Sequence, residues 1–457
     1  MKKLLFILPV ALIILTACPR KKDSLPDNIA SMPKIIDTSY EYSKDIYLWY
    51  NQLPASINNS SYSDPNKLME YIRGYSFEPE FNRDVDRWSF AMKQSEWNKV
   101  SQGIAGDFGL GVFFMSANDL RVKSVEKLSP AGVAGIKRGW KIIKINDRTS
   151  ITTSEADINY IVNALFNSTT VRITFQKHDG TNSNEYSLNA LEYKEQSIYL
   201  DTVYNENAGK VGYMVYNSFL GDSAYTVDGF RRVFDKFATQ GIGHLIVDLR
   251  YNSGGYVWMQ QLLGDYIVNN TGNGKISMIE LFNNKYASRF NDTAFFNKKG
   301  TLNLNKVYFI VTKGTASASE LLINGLKPFM NVQLIGSKTE GKAVGFFPID
   351  VADWYIFPVS FRTVNNNSEG NYFDGLIPSG NALGVADGLD KDWGDKNENM
   401  LNKTLAAINN NGVFAYTPGS NTISRSVYFD GINTRLKNPS KFSGAIERRG
   451  SMKHFNR

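Results

Sequence analysis

Two residues stand out as candidates for chemistry by their type and place. One is Ser317, inside Thr312-Lys313-Gly314-Thr315-Ala316-Ser317-Ala318-Ser319-Glu320; the other is Lys342, at the end of Ser337-Lys338-Thr339-Glu340-Gly341-Lys342. A serine hydroxyl is a poor nucleophile until a base removes its proton. The three histidines, His178, His244 and His454, lie in no Gly-x-Ser-x-Gly or other familiar triad setting. The single cysteine, Cys18, excludes a thiol nucleophile and a disulfide framework from the body of the chain. A lysine base is the remaining route. An ordinary lysine titrates near pH ~10.4, so about one in a thousand is neutral at pH 7. Holding it neutral costs about 4 kcal/mol and requires desolvation. Gly341 before Lys342 and Ala343-Val344-Gly345-Phe346-Phe347 after it permit burial, and Glu340, the one nearby acid, is expected to point away.

The elements around this pair are legible. Val307 to Val311 reads as a buried strand feeding the small-residue turn. Leu321, Leu322, Ile323 and Leu326 then follow a helical pattern that closes before Pro328, and Val332 to Ile335 reads as a second strand leading to Lys342. A helix opening at Ser317 places the Ala318 N–H and the positive helix end where an oxyanion would form. Leu245 to Arg250, apolar on both faces, predicts a central strand, and Gly254-Gly255 just beyond it offers a second backbone donor. The same residues admit a plainer account. Ser-x-x-Glu at Ser317–Glu320 is a capping box, in which Ser317 only caps the helix and Lys342 is a surface charge. Spacing alone leaves both accounts open.

The rest of the chain divides by composition. Lys2-Lys3, the apolar run Leu4 to Leu15 and Leu15-Thr16-Ala17-Cys18 read as a lipoprotein signal peptide over residues 1–17 with a lipobox, implying lipid on Cys18. An ordinary secretion signal is the alternative. Residues 18–34, with three prolines, read as a tether, and 35–100 as a helical N-terminal domain rich in aromatics. In the latter, Asp86-Arg87-Trp88-Ser89-Phe90 is read as a packing anchor. Residues 103–192 turn to short strands, 198–410 alternate strands and helices as in an α/β layer fold, and 411–457 form a basic polar tail, either loosely held or a partner-binding arm. The formal charge of +7 is misleading. Between Ser424 and Arg457 there are eight Arg or Lys against Asp430 and Glu447, so the folded body has no basic bias and a nucleic-acid partner is rejected.

Two resemblances sharpen this reading. Phe108-Gly109-Leu110-Gly111-Val112, then Ser129-Pro130-Ala131-Gly132 and Gly139-Trp140-Lys141-Ile142-Ile143-Lys144-Ile145-Asn146, resemble a bacterial, protease-linked PDZ domain. The resemblance implies that Phe108, Gly109, Leu110 and Gly111 bind a peptide's terminal carboxylate, with the adjacent strand edge accepting an extended peptide. The alternative is a small β domain whose glycines only make the turn. Thr315-Ala316-Ser317-Ala318-Ser319-Glu320, Gly341-Lys342 placed 25 residues after Ser317, and Asp248-Leu249-Arg250-Tyr251-Asn252-Ser253-Gly254-Gly255 are together similar to the carboxy-terminal processing peptidases of the S41 type. This implies Ser317 as nucleophile, Lys342 as general base, Gly254 and Ala318 as oxyanion donors, and Glu320 as an orienting acid. Phe346 stands where many members carry Gln, Glu340 replaces an aromatic and Ser253 a proline. The N-terminal region and lipobox resemble lipoprotein members from Bacteroidetes-type bacteria.

The expected fold is therefore multidomain: an N-terminal helical region, a PDZ-like β domain and an α/β, ClpP/crotonase-like S41 core. The expected function is a cell-envelope serine endopeptidase, lipid-anchored to a membrane on the periplasmic side or outer membrane and acting on polypeptide chain ends or unfolded segments. No metal and no cofactor are implied. The rivals are a catalytically weak or inactive peptide-binding lipoprotein and an esterase-like hydrolase using the same pair.

Overall fold

The computed structural model describes residues 31–415, 432, 433, 435, 436 and, for the backbone, 444–446. Cys18, the tether before residue 31, His454 and most of the tail lie outside the described residues.

A five-stranded sheet forms the centre, in the order Ile198–Glu206, Gly209–Tyr216, His244–Asp248, Lys306–Val311, Asn331–Gly336. The first pair is antiparallel and the others are parallel. The near-continuous apolar runs of the middle strands follow from burial on both faces. On one face, Phe230, Val233, Phe234 and Phe237 of helix Ser223–Gln240 pack with Leu322, Ile323 and Leu326 of helix Ala318–Leu326 and with Met259 and Leu263 of helix Val257–Ile267. Helix Asn399–Asn409 covers the other face through Met400, Leu401, Leu405 and Ile408. The Ser223–Gln240 helix has clear ends: Asp222 accepts the Tyr225 N–H at its start, and Gly241 at φ +64° closes it.

A second sheet of six strands lies across helix Ala318–Leu326, in the order Gly254–Tyr256, Gly444–Ile446, Val344–Phe346, Phe361–Val364, Ile276–Phe282, Asp292–Phe295. Every residue of that nine-residue helix is buried. A helix this short is marginal by itself and is held here by the packing around it. The strand at Gly444–Ile446 corrects the picture of the tail: among its described residues, three form an interior strand.

Residues 110–189 build a separate antiparallel sheet, ordered Leu110–Ser116, Asp119–Val125, Lys141–Ile145, Thr170–Gln176, Tyr186–Asn189. Two helices, Pro130–Val133 and Glu155–Val162, accompany it. Leu110–Ser116 is its edge strand.

The N-terminal region does not have a core of its own. Ile35, Ile36, Tyr40 and Ile46 of helix Met32–Ile46, with Leu68, Met69 and Ile72 of helix Pro65–Ile72, share one apolar cluster with Val344, Phe346, Phe347, Ile356, Phe357 and Phe361. Strand Phe90–Lys93 pairs with Trp354–Phe357. The segment after Lys342 is thus walled by residues near the start of the chain.

Candidate active site

The turn that carries Ser317 is fastened to the loop after the central strand. The Thr315 hydroxyl donates to Leu249 O at 2.8 Å, the Ala316 N–H to Asn252 O at 3.1 Å, and the Ser319 hydroxyl to the same carbonyl at 2.9 Å. Asn252 holds its own loop in turn: its Nδ2 donates to Tyr216 O at 3.1 Å and its Oδ1 accepts the Gly254 N–H at 3.0 Å. Ser317 is fully buried and has φ +58°, ψ −113°, a conformation unfavourable for a residue with a Cβ. Such strain costs about 1–3 kcal/mol and persists only where surrounding bonds impose it.

Glu320 is the hub of this turn. Its Oε2 accepts the N–H groups of both Ser317 and Lys342, each at 2.8 Å, while its Oε1 accepts the Gly341 N–H at 2.7 Å and the Thr339 hydroxyl. The capping-box residues Ser317 and Glu320 face each other here, and the Ser317 Oγ is buried without a hydrogen-bond partner. Burial pushes the Glu320 carboxyl up to about 7, opposed by these four donors. One carboxylate oxygen therefore gathers the two chain segments predicted to carry the chemistry. It does so through their backbones, not through the lysine side chain.

Lys342 is fully buried, and burial holds its ammonium well below the ordinary lysine range. Asp86, Glu340 and Glu320 act against that shift and Arg73 adds to it. The Lys342 Nζ lies 3.9 Å from the Phe346 ring centroid and 5.7 Å from that of Trp88. An aromatic face thus occupies the place of the expected Gln. Asp86 and Trp88, read from sequence as a packing anchor, also wall the candidate base. Asp86 is itself engaged by the Tyr47 hydroxyl and by the N–H groups of Trp88 and Ser89. Glu340 turns towards Arg87, whose guanidinium stands 3.7 Å from its carboxylate.

Of the two expected oxyanion donors, Gly254 lies directly against the Ser317 turn. A methyl group built on Gly254, at φ +108°, would come 3.0 Å from the Ser317 Cβ and 3.1 Å from the Ala318 N, so only glycine fits beside the nucleophile candidate. The Gly254 N–H, however, is directed to Asn252, and an oxyanion would have to share it. Gly254→Ala is expected to lower any activity of Ser317 by about 10²-fold or more and to lower the thermal midpoint. Activity assays and thermal unfolding of the purified variant check both.

The Phe108–Gly111 loop departs from expectation in a similar way. The Gly109 N–H donates to Asp107 Oδ1 at 2.7 Å, so in this conformation it is not open to a peptide carboxylate. A Cβ on Gly109 would come 1.9 Å from the Ser129 Oγ, and one on Gly111 would come 2.4 Å from the Ser124 Oγ. Close packing explains both glycines.

Sequence reasoning missed a buried ionic cluster that joins this domain to the site. Arg250 is forked onto Asp248, with bonds of 2.7–3.1 Å, and onto Glu398, with bonds of 2.8 and 3.0 Å. Asp387 bonds to Arg138 of the five-stranded domain and to the Tyr251 hydroxyl, and both arginines lie over the Trp393 ring. The two arginines hold the Asp387 carboxyl well below the usual carboxylate range. The only sequence signal was an Arg placed right after a central apolar strand. The histidines stand apart: His178 Nε2 is 2.9 Å from Arg138 O and His244 Nε2 is 3.2 Å from Ala208 O.

Comparisons with known proteins follow the same lines. Residues 210–378 match the model of peptidase family S41, and residues 40–90 match the peptidase S41 N-terminal domain. A probable CtpA-like serine protease of Staphylococcus aureus (strain COL) is 25% identical over 317 residues, covering 65% of this chain and 60% of that protein. One from Staphylococcus epidermidis is 26% identical over 261 residues, covering 57% of this chain and 50% of its own length. The chain thus spans about half to three fifths of the curated relatives it matches. The fold is shared with a crystal structure of a candidate S41 protease from Bacteroides fragilis, at TM-score 0.67 and 23% identity over 82% of this chain and 97% of that one. Through two of its parts, residues 40–90 and 210–378, the chain is thus similar to peptidase family S41.

Proposed function

We propose that the protein is a serine peptidase in which Ser317 is the nucleophile and Lys342 the general base. The observation that carries this reading is the Glu320 carboxylate, which fastens the backbones of both residues while the Ser317 hydroxyl is left without a partner. In the proposed reaction neutral Lys342 takes the Ser317 proton as Oγ attacks a peptide carbonyl. The developing oxyanion meets the Ala318 N–H at the helix start, with Gly254 as second donor. The leaving amine recovers the proton from Lys342, and water then releases the acyl group by the same steps in reverse order. The depressed basicity of Lys342 favours this peptidase over a binding-only protein, since a merely structural lysine has no need of so dry a setting.

The substrate class that goes with this reading is an unfolded or extended polypeptide, presented by the five-stranded domain acting as a PDZ-like unit. The edge strand Leu110–Ser116, not the Gly109 loop, is its proposed contact surface. The lipobox-like Leu15-Thr16-Ala17-Cys18 supports placement in the cell envelope through lipid on Cys18. Cys18→Ala is expected to shift the protein from the membrane to the soluble fraction; unchanged fractionation would sink the anchor.

The central test incubates the purified protein with an unfolded polypeptide beside Ser317→Ala. Cleavage should vanish in the variant, and equal cleavage by both would overturn the reading. Protonated Lys342 cannot accept a proton, so activity should fall as pH drops through the lowered lysine pKa. It should reach its plateau below the ordinary lysine range near pH ~10.4. A rate profile flat from pH 6 to 10 contradicts Lys342 as base.

A further inference from the structure

Two described pieces of the C-terminal segment, around Asn433 and at Gly444–Ile446, lie along the proposed substrate path. Asn433 Oδ1 accepts the Phe114 N–H at 2.8 Å, and Asn433 Nδ2 donates to Phe114 O at 3.2 Å. Phe114 belongs to the edge strand Leu110–Ser116, so this side chain satisfies backbone groups that an added strand would otherwise pair. Leu436 is buried in the core of the same domain, with Ile432 packed against it.

Farther on, Gly444–Ile446 lies between two strands of the candidate site. On one side Gly254, Gly255 and Tyr256 pair in parallel with Gly444, Ala445 and Ile446. On the other, Gly345 and Phe346 pair in parallel with Ala445 and Ile446. The Gly254 strand and the Val344–Phe346 strand do not pair with each other; the tail strand is what joins them into one sheet. The opening between them is therefore one strand wide, about 10 Å at the usual strand spacing. One wall abuts the Ser317 Cβ, and the other begins two residues after Lys342.

We propose that the chain's own C-terminal segment is an intramolecular pseudosubstrate: Gly444–Ile446 fills the strand-addition slot beside Ser317 and Lys342, Asn433 covers the edge of the five-stranded domain, and an external polypeptide binds by displacing them. This deepens the peptidase reading and rests on it. A tethered segment competes at an effective concentration of order mM, so a free peptide meets an occupied slot. The geometry also states what the slot accepts: an extended chain able to pair along both edges, without proline at its centre.

The test uses the full-length chain with Ser317→Ala, so that no cleavage intervenes. Hydrogen exchange at residues 254–256, 344–346 and 444–446 should be slowed at least tenfold relative to unstructured chain. In Ser317→Ala/Ala445→Pro, where proline removes the central N–H, that protection should be lost at 444–446 and weakened at 344–346. A labelled peptide with the sequence of residues 428–450 should bind this double variant about tenfold more tightly than Ser317→Ala alone. Ser317→Ala/Asn433→Ala, altered outside the strand, should show a smaller gain in the same direction. Exchange of 444–446 at the unstructured rate in the parent, or equal peptide affinity in all three proteins, overturns the proposal. In the Ser317 background, Ala445→Pro should lower KM for an unfolded polypeptide about tenfold with little change in kcat. Protection and competition without turnover in any protein would end the peptidase reading and leave the docking intact; turnover unaffected by Ala445→Pro, with 444–446 unprotected, would do the opposite.

Discussion

Lys342→Met should abolish cleavage and yield a protein that melts at a higher temperature than the wild type at pH 7. Removing one member of a nucleophile–base pair costs on the order of 10³-fold or more in turnover, because the remaining member cannot act alone. Stability should move the other way. Lys342 is fully buried, and burial disfavours its ammonium. The Phe346 face 3.9 Å away favours the charged form, but such a contact is worth up to about 2 kcal/mol, and desolvation dominates. The folded state therefore binds fewer protons than the unfolded one at pH values between the lowered pKa and the ordinary lysine range, and in that window stability rises with pH. At pH 7 the penalty is present. Methionine has similar length, carries no charge and packs well on aromatic rings. A lysine must give up its proton to enter this site, which costs up to about 4 kcal/mol at pH 7; methionine has no such cost, and the gain is read as several degrees in the thermal midpoint. The gain should narrow as pH approaches 10, where the unfolded lysine also loses its proton. A variant that keeps a tenth of wild-type activity, or melts several degrees lower, refutes the assignment.

Glu320→Gln is the second large effect, and here both quantities should fall together. The carboxylate presents two acceptor oxygens to four donors. A glutamine amide has one acceptor oxygen. If that oxygen keeps Thr339 and Gly341, its NH2 faces the N–H groups of Ser317 and Lys342, donor against donor; flipping the amide only moves the conflict to the other pair. Each buried donor left unsatisfied costs about 1–3 kcal/mol, so denaturant unfolding should show a loss of about 2–6 kcal/mol. The Ser317 conformation at φ +58° relies on that bond, so activity should drop by about 10²-fold or more even where the protein remains folded. Full activity in Glu320→Gln would show that the carboxylate does not position the pair.

Much of this site was legible in the chain, for local reasons. An apolar run, Val307 to Val311, a small-residue turn and a periodic helix announce one another, and the structure places strand Lys306–Val311 and helix Ala318–Leu326 there. Lys342 stood out because the residues after it are apolar, which is also why it is buried. What stayed hidden depends on contacts between distant segments. Nothing in the Asp86-Arg87-Trp88 sequence says that it closes around a lysine more than 250 residues later. Asp387, Trp393 and Glu398 lie in a stretch without periodicity, where only the fold shows two arginines converging. The engagement of the Gly109 N–H was not legible either, because a glycine demanded by the Ser129 side chain looks the same in sequence as one that exposes an N–H. The Gly444-Ala445-Ile446 strand is three residues long, too short for any alternation to appear.

Because residues 35–97 and 343–373 share one apolar cluster, the dry surroundings of Lys342 come from segments far apart in the chain. During synthesis the N-terminal helices emerge long before the lysine they will enclose. Until Ala343 to Phe361 have been made and have docked under Trp88, Lys342 is an exposed, protonated ammonium like any other. The growing polypeptide then carries its serine without a base. If the pair acts as proposed, it stays inert until these two distant segments have both been made and packed.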